Sequence, residues 1–322
     1  MSGRKEEIRA FAAFVNAASN GQAGLLLLVG GPGCGKTAII RLFQAEAEKA
    51  GMLAPSVKAE KGEDEKDLAG KAYQEMALSP EFRREGKSPG NFRELAEAAE
   101  KAGRKKFGAV IFIDDIDQMR NEDKAIASLQ GALKAGWGKR KVAFVVSSTS
   151  EITVQSEIMR EVALGPFAEL EAREMIEHAL KKGPPKMGEE CLQSILADSG
   201  GNPRLLKTVC YSIYERLREN EKVISKGHYL AYLPQIMSSL SRDWFGRLYR
   251  DIPQGERAIL RILTKDEEGM HVSDIAKKAG KPLGPITALT KRLLDRGQIV
   301  RIGRGKYRIF SKLYMRYVSQ RE

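Results

Sequence analysis

Cysteine is scarce in this chain. Cys34, Cys191 and Cys210 stand far apart in 322 residues, with no CxxC pair and no histidine at a metal-ligand spacing. That excludes a recognisable zinc site and fits a reducing cytosol. Long apolar runs are missing as well. Gly24 to Val29, the longest near the amino terminus, is far too short to span a bilayer and follows a charged, helix-like lead-in, which is not the pattern of a secretion signal. Repeats and low-complexity tracts are absent too. With 42% apolar and 30% charged residues, the composition is that of a soluble globular protein long enough for two or three domains. A cytoplasmic location and no membrane partner are the expectation.

What is abundant is positive charge, and it is unevenly spread. The net charge is +12, and residues 251–322 hold 16 Lys/Arg against 8 Asp/Glu. Under a quarter of the chain therefore carries about two-thirds of the excess, the electrostatic footprint of a polyanion binder.

Apolar spacing predicts helices at 5–18, 36–50, 65–76, near 92–102 and at 122–136. Continuous apolar runs at 24–29, 109–113 and 142–146 read as buried strands, with shorter strands at 55–60 and 162–167. Residues 79–91, charged and punctuated by Gly and Pro, read as a surface loop. Buried strands alternating with helices specify an α/β fold with a parallel sheet and crossover helices. Beyond Phe167 the strands are expected to stop, leaving helices at 169–182, 187–199, 203–219 and 226–241. The pattern near Asp251 then changes to three helices and a hairpin. The expected domains are a nucleotide-binding core at 1–168, a helical lid at 169–245 and a small basic domain at 246–322.

Residues Gly30-Gly31-Pro32-Gly33-Cys34-Gly35-Lys36-Thr37, followed by Ala38, fill the P-loop pattern GxxxxGK[ST] between a buried strand and a helix. Glycines let backbone N–H groups turn inward around phosphates, and the following helix points its amino-terminal dipole at the same anion. Lys36 is expected to reach the β- and γ-phosphates of ATP, and Thr37 to bind Mg²⁺. Asp114 and Asp115 end a buried strand on the side where ligands bind in open parallel sheets. Asp114 is assigned to the metal and Asp115 to orienting the attacking water, with Asp117 a solvated turn residue. The third strand ends in Ser147-Ser148-Thr149, and Ser148 or Thr149 is the expected holder of the γ-phosphate or the water.

This order of motifs resembles the AAA+ ATPases, in particular the replication-initiator and helicase-loader branch, together with the related STAND-type ATPases. Gly3-Arg4-Lys5-Glu6-Glu7-Ile8 looks like the family's GRxxE-type segment, which often lies against the adenine. Asp114-Asp115 departs from the commoner Asp-Glu, a change that bears on the hydrolysis rate. Gly200-Gly201-Asn202-Pro203-Arg204 is similar to the sensor-2 region, and the resemblance implies that Arg204 reports the γ-phosphate from the lid. Arg160 stands where initiator-type members supply an arginine finger to a neighbouring subunit, so a nucleotide-dependent oligomer is implied.

The basic domain resembles a winged helix. Its third helix, expected at 285–296 with Pro285 in the first position, turns Ile286, Leu289, Thr290 and Leu293 to one face. Lys291 and Arg292 point away, and Arg301, Arg304, Lys306 and Arg308 surround the wing at Gly303-Arg304-Gly305. In DNA-binding members the third helix enters the major groove, so duplex DNA is the expected partner. The sequence thus reads as an ATP-hydrolysing, DNA-binding AAA+ protein that recruits or loads an unidentified effector. The alternative is a STAND-type switch signalling through protein partners. Because the chain ends soon after its wing, a sensor array for such a switch is expected on another protein.

Overall fold

Three of the five strands in the main sheet are where the apolar runs put them, and their burial explains why; the short strand expected at 55–60 is present as well. In the computed structural model, which describes residues 4–22, 24–79, 87–103, 107–136, 140–149, 156–180, 185–218 and 221–321, the chain divides into two compact units. One comprises Lys5–Gly30 and Gly35–Leu164; the other comprises Arg4, Gly31–Cys34 and the residues from Gly165 onward.

In the first unit the elements run α1 (Lys5–Ser19), β1 (Leu25–Val29), α2 (Lys36–Lys49), β2 (Ser56–Lys58), α3 (Glu65–Met76), α4 (Phe92–Gly103), β3 (Ala109–Asp114), α5 (Glu122–Lys134), β4 (Val142–Ser148) and β5 (Met159–Ala163). The strands form one parallel sheet in the order β2-β3-β4-β1-β5. β1, β3 and β4 are buried along their whole length, as strands covered on both faces must be. On one face Leu25, Leu27, Ile111, Ile113, Phe144 and Val146 pack with Leu68, Phe92, Leu95, Ile126 and Leu129 from α3, α4 and α5. Phe11 of α1 stacks on Phe43 of α2 at 4.0 Å between ring centroids and leans on Phe112 of β3. Fully burying side chains of this size stabilises by roughly 1.5–3 kcal/mol each, before chain entropy is charged against it. The order matters for the chemistry, because it sets the carboxy-terminal ends of β3, β4 and β1 side by side, about 4.8 Å apart.

β5 differs from expectation. It spans Met159–Ala163 rather than 162–167, and most of its residues are exposed. As an edge strand it needs no continuous apolar run.

The second unit begins with α6 (Glu169–Leu180), β6 (Lys186–Met187), α7 (Glu189–Ser199), α8 (Pro203–Tyr214), β7 (Val223–Ile224) and α9 (Lys226–Leu240). The strands do not stop at Phe167: β6 and β7 pair in parallel, though over only two residues each. A π-helical turn at Ser241–Phe245 leads into α10 (Gly246–Arg250). Then come α11 (Gln254–Leu263), β8 (Met270–His271), α12 (Val272–Ala279), α13 (Leu283–Asp295), β9 (Ile299–Gly303), β10 (Lys306–Ile309) and α14 (Lys312–Ser319). The antiparallel order β8-β10-β9 completes a winged helix, with β8 an unforeseen third strand. α13 starts two residues before the expected boundary, which puts Pro285 inside the first turn, where its missing N–H still costs nothing. Ile286, Thr290 and Leu293 are buried as their spacing requires. Gly3 and most of the expected loop at 79–91 lie outside the described residues.

Among the described residues no helix is long and apolar enough to cross a membrane.

Candidate nucleotide site and winged-helix face

Gly30 leaves β1, and Lys36 begins α2 six residues later. Gly35 caps that helix at φ 95°, a left-handed conformation an L side chain rarely adopts. Lys36 is buried, and its Nζ donates to the Gly30 carbonyl at 2.7 Å and to Thr149 Oγ1 at 3.3 Å. Thr37 Oγ1 donates to Asp114 Oδ2 at 2.6 Å. The other oxygen of the buried Asp114 accepts from Ser147 Oγ at 2.5 Å, and Ser147 in turn accepts the Asp115 N–H at 2.9 Å. Thr37, Asp114 and Ser147 thus form one chain of hydrogen bonds across α2, β3 and β4.

Three consecutive hydroxyls, two ending β4 and one just after it, each have a different partner. Ser147, to which the sequence assigned no role, is the one on Asp114. Ser148 Oγ donates to Glu122 Oε1 at 2.6 Å, and Thr149 meets Lys36. Glu122, the first residue of α5, was missed altogether. Its burial raises its pKa above the ordinary carboxylate value, with Asp117 and Asp123 adding repulsion and the Ser148 hydrogen bond opposing them. The only available signal was an acidic residue at a helix start, which is too common to notice.

Asp115 sits at φ 55°, the left-handed region, and its Oδ2 lies 2.9 Å from Lys58 Nζ. The Asp115 hydrogen bond raises the Lys58 pKa, and the charges of Asp115, Asp114 and Asp117 add to it while partial burial opposes it. Asp117 is not a freely solvated turn residue: it is half-buried, and its Oδ1 is enclosed without a hydrogen-bond partner among the described residues. Arg160 lies within β5, opposite Leu26, and is exposed.

The loop residues 31–34 belong to the second unit. Asn202 caps α8, accepting from the N–H groups of Arg204 and Leu205, and its Nδ2 donates to the Pro32 carbonyl at 2.9 Å. The Arg204 N–H also donates to the Gly33 carbonyl at 3.2 Å. The Arg204 guanidinium stacks on Trp244, 4.7 Å from the ring centroid, and burial with Arg247 nearby lowers its pKa. Arg4, at φ 61°, donates to the carbonyls of Cys34 and Gly165 at 3.1 and 2.5 Å and lies over the Phe167 ring. Gly31 and Pro32 meet Gly297, at the turn from α13 into β9. At its φ of 63° any Cβ there would overlap the Pro32 ring and lie 2.9 Å from Gly31 Cα.

On the winged helix, Lys291, Arg292, Arg301 and Arg304 are exposed. Lys306 and Arg308 are half-buried, and the Arg308 Nε is enclosed.

The AAA ATPase domain family matches residues 2–146, and the winged helix-turn-helix DNA-binding family matches residues 256–300. No curated protein matches the sequence. Among solved structures, a Walker-type ATPase of Pyrococcus abyssi is similar over 99% of this chain and 96% of its own, at 14% identity and a TM-score of 0.77. The RuvB Holliday junction branch migration motor of Thermotoga maritima is similar over 98% and 95%, at 17% identity and TM-score 0.50. The Orc1 protein of Aeropyrum pernix, solved in complex with DNA, is similar over 100% and 93%, at 18% identity and TM-score 0.50. At these identities the likeness is one of fold.

Proposed function

Because the chain joins an AAA ATPase domain to a carboxy-terminal winged helix-turn-helix, we propose that it hydrolyses ATP and holds duplex DNA, so as to recruit or load a partner machine. The observation that carries the first half is the linked set Thr37–Asp114–Ser147, at 2.6 and 2.5 Å, beside a buried P-loop lysine. The second half is supported by the exposed basic residues of the winged helix and by the DNA bound to the Orc1 protein of like fold.

The donor set fits Mg²⁺: a hydroxyl and a carboxylate are the hard oxygen ligands that ion takes. When bound, the ion offsets the negative charge on the β- and γ-phosphate oxygens. Lys36 exchanges its bond to the neutral Gly30 carbonyl for one to phosphate, in which both donor and acceptor are charged. Ser147 fixes the Asp114 carboxylate so that it does not rotate away. Asp115 orients the attacking water; the new O–P bond forms at the γ-phosphorus as the bond to the β-bridging oxygen breaks, so ADP leaves and the water's oxygen and both its protons end in inorganic phosphate. Lys58 restrains the Asp115 carboxylate. Glu122 acts through Ser148 by setting the direction of its hydroxyl proton. In this reading residues 169–245 serve as the lid, Arg204 reports the γ-phosphate, and Arg160 reaches the nucleotide of a neighbouring copy in an oligomer.

Phosphate release with and without Mg²⁺ tests the chemistry. Asp115→Asn should bind ATP within about threefold of the parent and lose about a hundredfold in turnover. A variant hydrolysing at the parental rate would hand the water to another group, with Glu122 the first to examine.

A second reading, a regulatory switch signalling through protein, is favoured by the hold of Asn202, Arg204 and Gly297 on loop residues 31–33. Turnover and oligomeric state with and without duplex DNA separate the two. Stimulation together with assembly supports the loader, and indifference to DNA supports the switch.

A further inference from the structure

A helix that reads DNA sequence needs side chains that can match base-edge donors and acceptors, and they must stand near the end that enters the groove. The leading half of α13 presents Leu283, Gly284, Pro285, Thr287 and Ala288 to solvent. Four of these carry no polar side-chain atom. The fifth, Thr287, spends its hydroxyl proton on the Leu283 carbonyl at 2.9 Å. Lys291 and Arg292 come eight and nine residues after Leu283, at least about 12 Å further along the helix axis. In helix-turn-helix docking the amino-terminal residues of the recognition helix meet the base edges, which sets these two toward the phosphates.

The charge sits elsewhere on the same domain. Lys277, Lys278 and Lys281 are exposed at the end of α12 and the turn that follows. Lys277 and Lys281 line a pocket of about 380 Å³ with Ser273 and Leu283, and Lys277 is paired only loosely with Asp274, at 3.7 Å. Arg301 and Arg304 of the wing are exposed as well, and the wing turn meets the start of α12, where the Val272 N–H donates to the Gly305 carbonyl at 2.9 Å. Exposed cations thus stand on α12, the turn after it and the wing, while the leading face of α13 is chemically blank.

We infer that the winged helix grips duplex DNA by its phosphate backbone alone, with Lys277 and Lys281 as phosphate ligands beyond the wing, and that it is indifferent to base sequence. This rests on the duplex-binding reading above. A bidentate base contact discriminates by roughly tenfold or more per base pair, and the leading turns of α13 have no side chain to make one. Thymine methyl groups against Leu283 add only a mild A·T bias.

The test is filter binding of the full chain to 30-base-pair duplexes of A·T-rich, G·C-rich and mixed sequence over a range of salt. Affinities should agree within about threefold and share one salt dependence. Lys277→Ala with Lys281→Ala should lower the slope of log affinity against log salt by about 1.8, equally on all three duplexes. Thr287→Ala should change nothing. A preference of tenfold or more for one duplex overturns the inference while leaving duplex binding intact, as does an unchanged slope in the double variant. Failure to bind any duplex at low salt overturns the DNA-binding reading itself and leaves Leu283 and its neighbours as a protein-contact face.

Discussion

The strand tips of the first unit and the outer face of the winged helix are both polar, but they are built on opposite principles. At the tips, Lys36, Thr37, Asp114, Asp115, Ser147 and Ser148 each have a named partner within 3.3 Å, and most are buried. In such surroundings dipoles are fixed before any ligand arrives, and removing one strands the others. On the winged helix, Lys291, Arg292 and Arg304 are exposed, and their value to a polyanion lies in the counterions released on binding. One region is an interdependent network, whereas the other is a set of nearly additive charges.

The sharpest way to break that contrast is Lys36→Ala. Titration calorimetry should show ATP affinity reduced about a hundredfold or more, with duplex affinity within about twofold of the parent. A smaller effect is expected from Arg304→Ala with Lys306→Ala. Duplex binding should weaken on every sequence and its salt slope fall by up to about 1.8, while stability in denaturant shifts by no more than about 0.5 kcal/mol. Loss of ATP affinity in that variant would show that the two regions are not independent.

The smallest effect concerns pH. Glu122 has a folded pKa above its unfolded value, so the folded state holds its proton more tightly. Its contribution to stability is complete below the ordinary carboxylate pKa and is lost as pH rises through the raised one. Melting temperatures from about pH 4 to 7 should therefore decline more for the parent than for Glu122→Gln. Parallel curves would mean that the burial of Glu122 carries no such cost.

The P-loop was legible because its requirement is local: backbone N–H groups turning around an anion demand glycines in one order beside one lysine. The buried strands were legible because both of their faces are covered. Which of Ser147, Ser148 and Thr149 meets Asp114 was not, since three adjacent hydroxyls alternate between sheet faces and only the pairing register decides. The Lys58–Asp115 pair joins residues far apart in the chain, and no periodicity announces it. β5 was displaced by a few residues because an exposed edge leaves little apolar signal. The π-helical turn at 241–245 has no pattern that separates it from the helix it extends.

Trp244 is one of only two tryptophans in the chain, and a guanidinium rests on its ring. Indole emission responds to a nearby cation, so the protein carries its own optical gauge of where the Arg204 side chain is. Departure of that side chain toward any anion changes the light the protein gives off, with no dye attached and no residue replaced.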